Sequence, residues 1–113
     1  MDVASLRKEA DKQRSEAANR RQQAAVYQSQ AAQYSQNNDF AQAQAQQNRA
    51  NQFIAEAQDI EAKALNFEQQ AVGKEGQAQK LDQKRAQLQR EITAIDKEKD
   101  GLLGTSGGLT SLI

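Results

Sequence analysis

Alanines recur every seven residues along two long stretches of this chain, and the polar segment Gln36-Asn37-Asn38-Asp39-Phe40 separates them. Before the break stand Val3, Ala10, Ala17, Ala24 and Ala31, with Leu6, Tyr27 and Tyr34 on companion positions three residues further on. After it stand Ala43, Ala50, Ala57, Ala64 and Ala71, with Phe53, Ile60 and Phe67 as companions. A seven-residue repeat returns to the same helix face, so each stretch predicts a helix with a small residue at one seam position and a larger one at the other. Small seam residues let two helices approach closely, and a turn this brief makes neighbouring helices antiparallel.

The break supplies the turn chemistry. Asn37 and Asn38 tolerate the left-handed conformation that ends a helix, and Asp39 is suited to accept from the first amides of the next one. Gln42 stands three residues after Asp39, the spacing of a capping box. These signals predict an antiparallel helical hairpin over residues 1–72, coiled-coil-like and alanine-seamed, with helices at 3–36 and 40–72 and the turn at 37–39. Asp2 is the expected N-cap of the first helix. Gln13 and Arg20 interrupt the larger-residue row; a polar seam residue fixes register, and Arg20 can lay its stem along the groove while its guanidinium stays in water.

Gly73-Lys74-Glu75-Gly76 poses the main question beyond the hairpin, because it suits either a turn or a weak point inside one helix at about 1 kcal/mol per glycine. Counting by sevens from Ala71 gives Ala78, Arg85 and Ile92, and from Phe67 gives Lys74, Leu81, Leu88, Ile95 and Leu102. The register crosses the glycines without a slip, which favours a helix running to Asp100, about 90 Å from Asp39. Pairing about the turn places Val3 opposite Val72, so the first helix ends where the glycines begin. Segment 73–100 is then a third helical segment that either continues helix 2 as an arm or folds back on the hairpin. Leu81, Leu88, Ile92 and Ile95 form its apolar stripe, flanked by Lys, Arg, Asp and Glu; they are the candidate protein-interaction residues. Gly101 is the expected helix stop. Residues 101–113 read as a flexible tail whose apolar end, Leu109, Leu112 and Ile113, is a second candidate contact; Ser111-Leu112-Ile113 has the pattern captured by strand addition in grooves for a free C-terminus.

Composition narrows the function classes. Among 113 residues there are 20 Ala and 20 Gln but only 4% aromatic residues, so the interior can only be thin and must bury alanine seams or a partner's surface. With no proline and glycine confined to Gly73, Gly76 and the last thirteen residues, the fold class is all-α. Fifteen basic and fifteen acidic residues cancel, giving no field that draws a protein to nucleic acid or an anionic membrane. Residues 1–36 carry six basic against four acidic groups and residues 37–72 two against five, a modest attraction between the two helices. Arg14, Arg20 and Arg21 with Lys12 form a cluster that could touch phosphate; Glu9, Asp11 and Glu16 interleave with them, which favours a solvated helix face over specific nucleic-acid binding. The chain has no His, Cys or Trp and no phosphate-loop, dinucleotide or nucleophile-elbow motif. That removes imidazole and thiol chemistry and the usual transition-metal ligands, so neither catalysis nor a cofactor is expected. No leader and no membrane span are encoded, which is the expectation for a cytoplasmic protein or a particle component.

Ala24-Ala25-Val26-Tyr27-Gln28-Ser29-Gln30-Ala31-Ala32-Gln33-Tyr34 and Ala41-Gln42-Ala43-Gln44-Ala45-Gln46-Gln47-Asn48 resemble the Ala/Gln-rich helices of internal, ejection and core proteins in tailed bacteriophage particles. The resemblance implies a non-catalytic structural or assembly subunit, a virion component that lines its helices against copies of itself, as a homo-oligomer, or against a larger partner. The other class compatible with the pattern is an adaptor or secreted helical-hairpin binding module that presents its tail to a partner.

Overall fold

The computed structural model describes residues 1–104, so Leu109, Leu112 and Ile113 lie outside the described residues. Two helices account for nearly all of these residues: α1, Val3–Gln36, and α2, Phe40–Leu103. The chain divides into a unit of Met1–Lys74 and a second that begins at Glu75.

The first unit is the hairpin. Asp2 takes an extended conformation (φ −79°, ψ 175°) and accepts a 2.8 Å hydrogen bond from the Ser5 amide, so it caps α1 as the sequence predicts. That amide is the largest influence holding the exposed Asp2 carboxyl below the usual carboxylate range. At the other end of α1, Asn38 adopts φ 61°. The Asp39 amide reaches back to the Tyr34 carbonyl at 2.9 Å and the Asn38 amide to Ser35 at 3.1 Å. These two bonds are the paired closures of a Schellman motif with Asn38 at its left-handed position. Asp39 then starts α2: its carboxylate accepts from the Gln42 amide at 3.3 Å and its carbonyl from the Ala43 amide at 3.0 Å. Only the forward half of the expected capping box forms, because the Asp39 amide is already committed to Tyr34. One aspartate thus ends α1 and opens α2.

The alanine ladders face each other. Ala10, Ala17, Ala24 and Ala31 of α1 and Ala50, Ala57, Ala64 and Ala71 of α2 are at most 7% exposed. Leu6 is the one large side chain buried with them. A methyl group reaches little beyond its own backbone, so such burial requires a close approach of the two helices. The larger companions Tyr27, Phe53, Ile60 and Phe67 are half-buried along the margin of this seam. Tyr34, expected as a companion, is exposed; Ala43, beside the turn, is only half-buried.

Cross-helix pairs fix the antiparallel register. Arg14 pairs with Glu68, Arg21 with Glu61 at 2.6 Å, and Arg20 with Glu56 at 3.1 Å. The Tyr27 and Phe53 rings stack at 5.6 Å between centroids. Each pair sums to between 76 and 82, so residues late in α1 meet residues early in α2, as a hairpin demands. Gln13, the other polar interruption, turns along its own helix to Glu9 at 3.2 Å. At the open end the Lys74 ammonium donates to the Met1 carbonyl.

α2 is a single helix across Gly73 and Gly76, so the described residues contain no separate third helix folded back on the hairpin. It also continues past the expected stop at Asp100. Gly101, whose surroundings are open, remains helical, and Gly104 instead adopts the positive φ of 72°. Leu102 and Leu103, both good helix formers, carry the helix across Gly101 to that second glycine.

Two outcomes follow from the hairpin geometry. Ala24→Leu or Ala57→Leu should destabilise it by about 1–3 kcal/mol, since the overfilled seam must push its backbones apart. Exposed Ala86 should accept the same change, and urea denaturation compares all three; equal losses would contradict the observed seam. Asn38→Val should cost about 1–2 kcal/mol by forcing a β-branched residue into the left-handed region, whereas Asn38→Gly should cost nothing or stabilise. Thermal unfolding of the two variants reads the difference directly.

Candidate interaction surface

Each candidate interaction residue that sequence reasoning places inside the described region falls in the second unit, on α2. Leu81, Leu88, Ile92 and Ile95 are helical and exposed, from 48% at Leu88 to 67% at Leu81. Their spacings of seven, four and three residues put them on one face, and Leu102 at 84% exposure continues the row. The rows that flank this face hold Asp82, Lys84, Glu91 and Asp96, so the apolar strip has a charged margin of both signs. Solvent covers the strip in the monomer. Burying such a side chain fully is worth about 1.5–3 kcal/mol, and four exposed together amount to a substantial unused free energy.

The repeat runs unbroken between the units while the residues on its two rows change. The rows that supply Ala57, Ala64 and Ala71 to the hairpin seam supply Ala78, Arg85 and Ile92 further along, while Ile60 and Phe67 give way to Leu81, Leu88 and Ile95. An alanine row admits a close neighbour; a leucine and isoleucine row demands a wider groove filled by equally large side chains.

The arginine cluster is placed differently from a phosphate site. Arg14, Arg20 and Arg21 each meet a glutamate of α2, and Arg14 also bridges Asp11 at 3.1 Å along its own helix. Their charge is spent on register. Among the described residues no group of acidic, His or Cys side chains is arranged to hold a metal ion. No helix among them is long and apolar enough to cross a membrane.

Two features escaped sequence reasoning. Arg49 lies 5.3 Å over the Tyr27 ring, whose neighbour is Phe53. Its position four residues before Phe53 was the available signal, since that spacing places both on one helix face. Leu65 and Val72, exposed beside Arg7 and Gln69 in a shallow groove, follow the alanine ladder by one residue at each repeat.

The chain matches no protein-family profile, no curated protein sequence and no solved structure.

Continuity of α2 between its two seam types is open to a direct test. A Cβ added at Gly73 or Gly76 meets nothing within 4 Å, so Gly73→Ala and Gly76→Ala should each stabilise by about 0.5–1 kcal/mol through reduced backbone freedom in the unfolded chain. Circular dichroism during urea titration should show a higher midpoint for the double variant. A lower midpoint would mean that the glycines serve a bend rather than a helix.

Proposed function

We propose that this protein is a non-catalytic structural or assembly subunit that engages other protein through the 81–95 face of α2. The observation carrying this reading is the row Leu81, Leu88, Ile92 and Ile95, exposed on regular helix in a seven-residue register. In the hairpin the same register is filled by a partner helix; here a partner must come from outside the chain. The Ala/Gln-rich helices support placing the subunit in a tailed-phage particle or a comparable multi-protein machine, as a virion component or its cytoplasmic precursor. The proposed partners are protein, with no specific nucleic acid, since Arg14, Arg20 and Arg21 are engaged by Glu68, Glu56 and Glu61. The apolar tail end, Leu109, Leu112 and Ile113, is a further proposed contact.

A second reading has its own support. Met1–Lys74 is compact, capped at both ends of α1 and closed by its own seam, which suits a helical-hairpin adaptor or secreted binding module. Multi-angle light scattering separates the two readings, because a well-folded solitary monomer favours the module and defined oligomers favour the subunit.

Leu88→Asp together with Ile92→Asp should abolish self-association or incorporation into the parent assembly and leave the helicity of residues 3–72 largely intact. Sedimentation and circular dichroism on the same variant measure both effects. Undiminished assembly, or helicity lost across the hairpin as well, would overturn the assignment of this face to association.

A further inference from the structure

Resting on the reading of residues 81–95 as an association face, we infer that its occupant is a second copy of the same segment, packed antiparallel with Leu81 of one chain against Ile92 of the other. The inference comes from where the charges sit in and beside the apolar row.

A parallel, in-register pair sets every seam residue against its own copy. Arg85 and Lys99 occupy the same rows as the apolar residues, so such a pair stacks Arg85 on Arg85 and Lys99 on Lys99. It also places Glu91 across from Asp96 of the second copy. Each of these contacts joins like charges. The parallel arrangement is opposed at three levels along one short segment.

Antiparallel packing sets alternate seam rows against each other instead. With Leu81 against Ile92, the Arg85 stem lies beside Leu88 of the second copy and its guanidinium extends to the margin. Ile95 meets Ala78, large against small, and Lys99 comes level with Lys74 of the second copy only past the last apolar layer. Along the margin, Lys84 stands across from Glu91 of the second copy, and the two-fold axis makes this pair twice. Arg85 follows Asp82 by three residues, the spacing at which Arg14 bridges Asp11 in the hairpin, and so offsets the acidic margin on the other side.

The register is as restricted as the direction. Sliding the two copies by one heptad one way brings Lys84 onto Lys84 at the axis, and sliding them the other way brings Glu91 onto Glu91. The second slip also sets Lys84 across from Glu98, but it places Asp82 across from Asp96 on the other margin, so only the intermediate register pairs Lys84 with Glu91 and keeps the central layers free of like-charge contacts. The hairpin sets a precedent within this chain, since its antiparallel seam is also flanked by cross-helix Arg–Glu pairs, Arg14 with Glu68 and Arg21 with Glu61.

Sedimentation equilibrium of the full chain at low ionic strength, with Lys84→Glu, Glu91→Lys and the double exchange, tests direction and register together. Each single exchange turns two attractive contacts into repulsive ones and should weaken dimerisation about tenfold, while the double exchange should recover most of that loss. In a parallel pair Glu91→Lys would face Asp96 and tighten association, which overturns the inference; indifference to all three exchanges overturns it too. Mixing Lys84→Cys with Glu91→Cys chains under oxidation should give mainly the mixed disulfide, and predominance of either homodimer would place the chains one heptad out of this register and overturn it. A parent chain that stays monomeric, while Leu88→Asp with Ile92→Asp still blocks incorporation into an assembly, would refute self-pairing and leave the association face standing.

Discussion

Close approach of two alanine ladders is the constraint from which the hairpin follows. An alanine methyl can be covered only by a neighbour whose backbone comes near, and a seam of eight such residues holds α1 and α2 at short separation along its whole length. Nothing large fits between them apart from Leu6. Larger side chains must stand at the margin, which is where Tyr27, Phe53, Ile60 and Phe67 are found half-buried. The apolar area removed from water per residue is therefore small, and dense backbone contact has to substitute for bulk.

A seam made of identical small residues specifies separation well and register poorly, because a ladder of alanines slipped by one heptad meets another ladder of alanines. Register must come from elsewhere. The Asn37-Asn38-Asp39 turn fixes it at one end through the left-handed Asn38 and the shared use of Asp39, and the cross-helix pairs fix it along the margin. Arg14–Glu68 and Arg21–Glu61 have side chains nearly half exposed, so each adds at most about 1 kcal/mol of stability. Glutamates repeat every seven residues here too, so a slip one way would set Arg14 against Glu75 and Arg21 against Glu68; Arg20 discriminates, because the same displacements carry it from Glu56 to Lys63 or to Arg49. The same logic explains why polar Arg20 is tolerated in a seam row, where its stem covers apolar surface and its guanidinium reaches Glu56.

Much of this arrangement was legible in the sequence because the seven-residue alanine repeat is both regular and chemically distinctive. The helix ends were legible for a local reason: Asp2 and Asn38 carry conformational preferences that hold regardless of packing. Three details were not. Whether Gly73 and Gly76 break a helix depends on a balance of about 1 kcal/mol per glycine against the helix formers around them, and residue identities do not settle such a balance. The helix end moved from Gly101 to Gly104 because two glycines three residues apart offer equivalent stops. Arg49 over Tyr27 is a contact between helices, and pairing a cation with a particular ring requires knowing the register that the seam alone leaves loose. The candidate face was legible as a pattern, and its row is exposed in the structure; what would cover it is not written in that row, because leucine and isoleucine accept any complementary apolar helix.

Seam composition also explains why the two halves of α2 suit different kinds of neighbour. The alanine rows up to Ala71 accept a neighbour whose own seam is small, and a leucine-rich helix placed there would be held off by its own side chains. The leucine and isoleucine rows from Leu81 onward need large side chains to fill the wider groove, and an alanine ladder placed there would leave voids whose lining loses its contacts. Residues 3–36 supply only the first kind of surface, with a single large residue, Leu6, fully buried at the end remote from the turn. α1 is thereby committed to the alanine half of α2 and cannot compensate the other half. A helix that changes its seam residues while keeping its repeat unbroken matches the first part to its own chain and leaves the second without a match in α1.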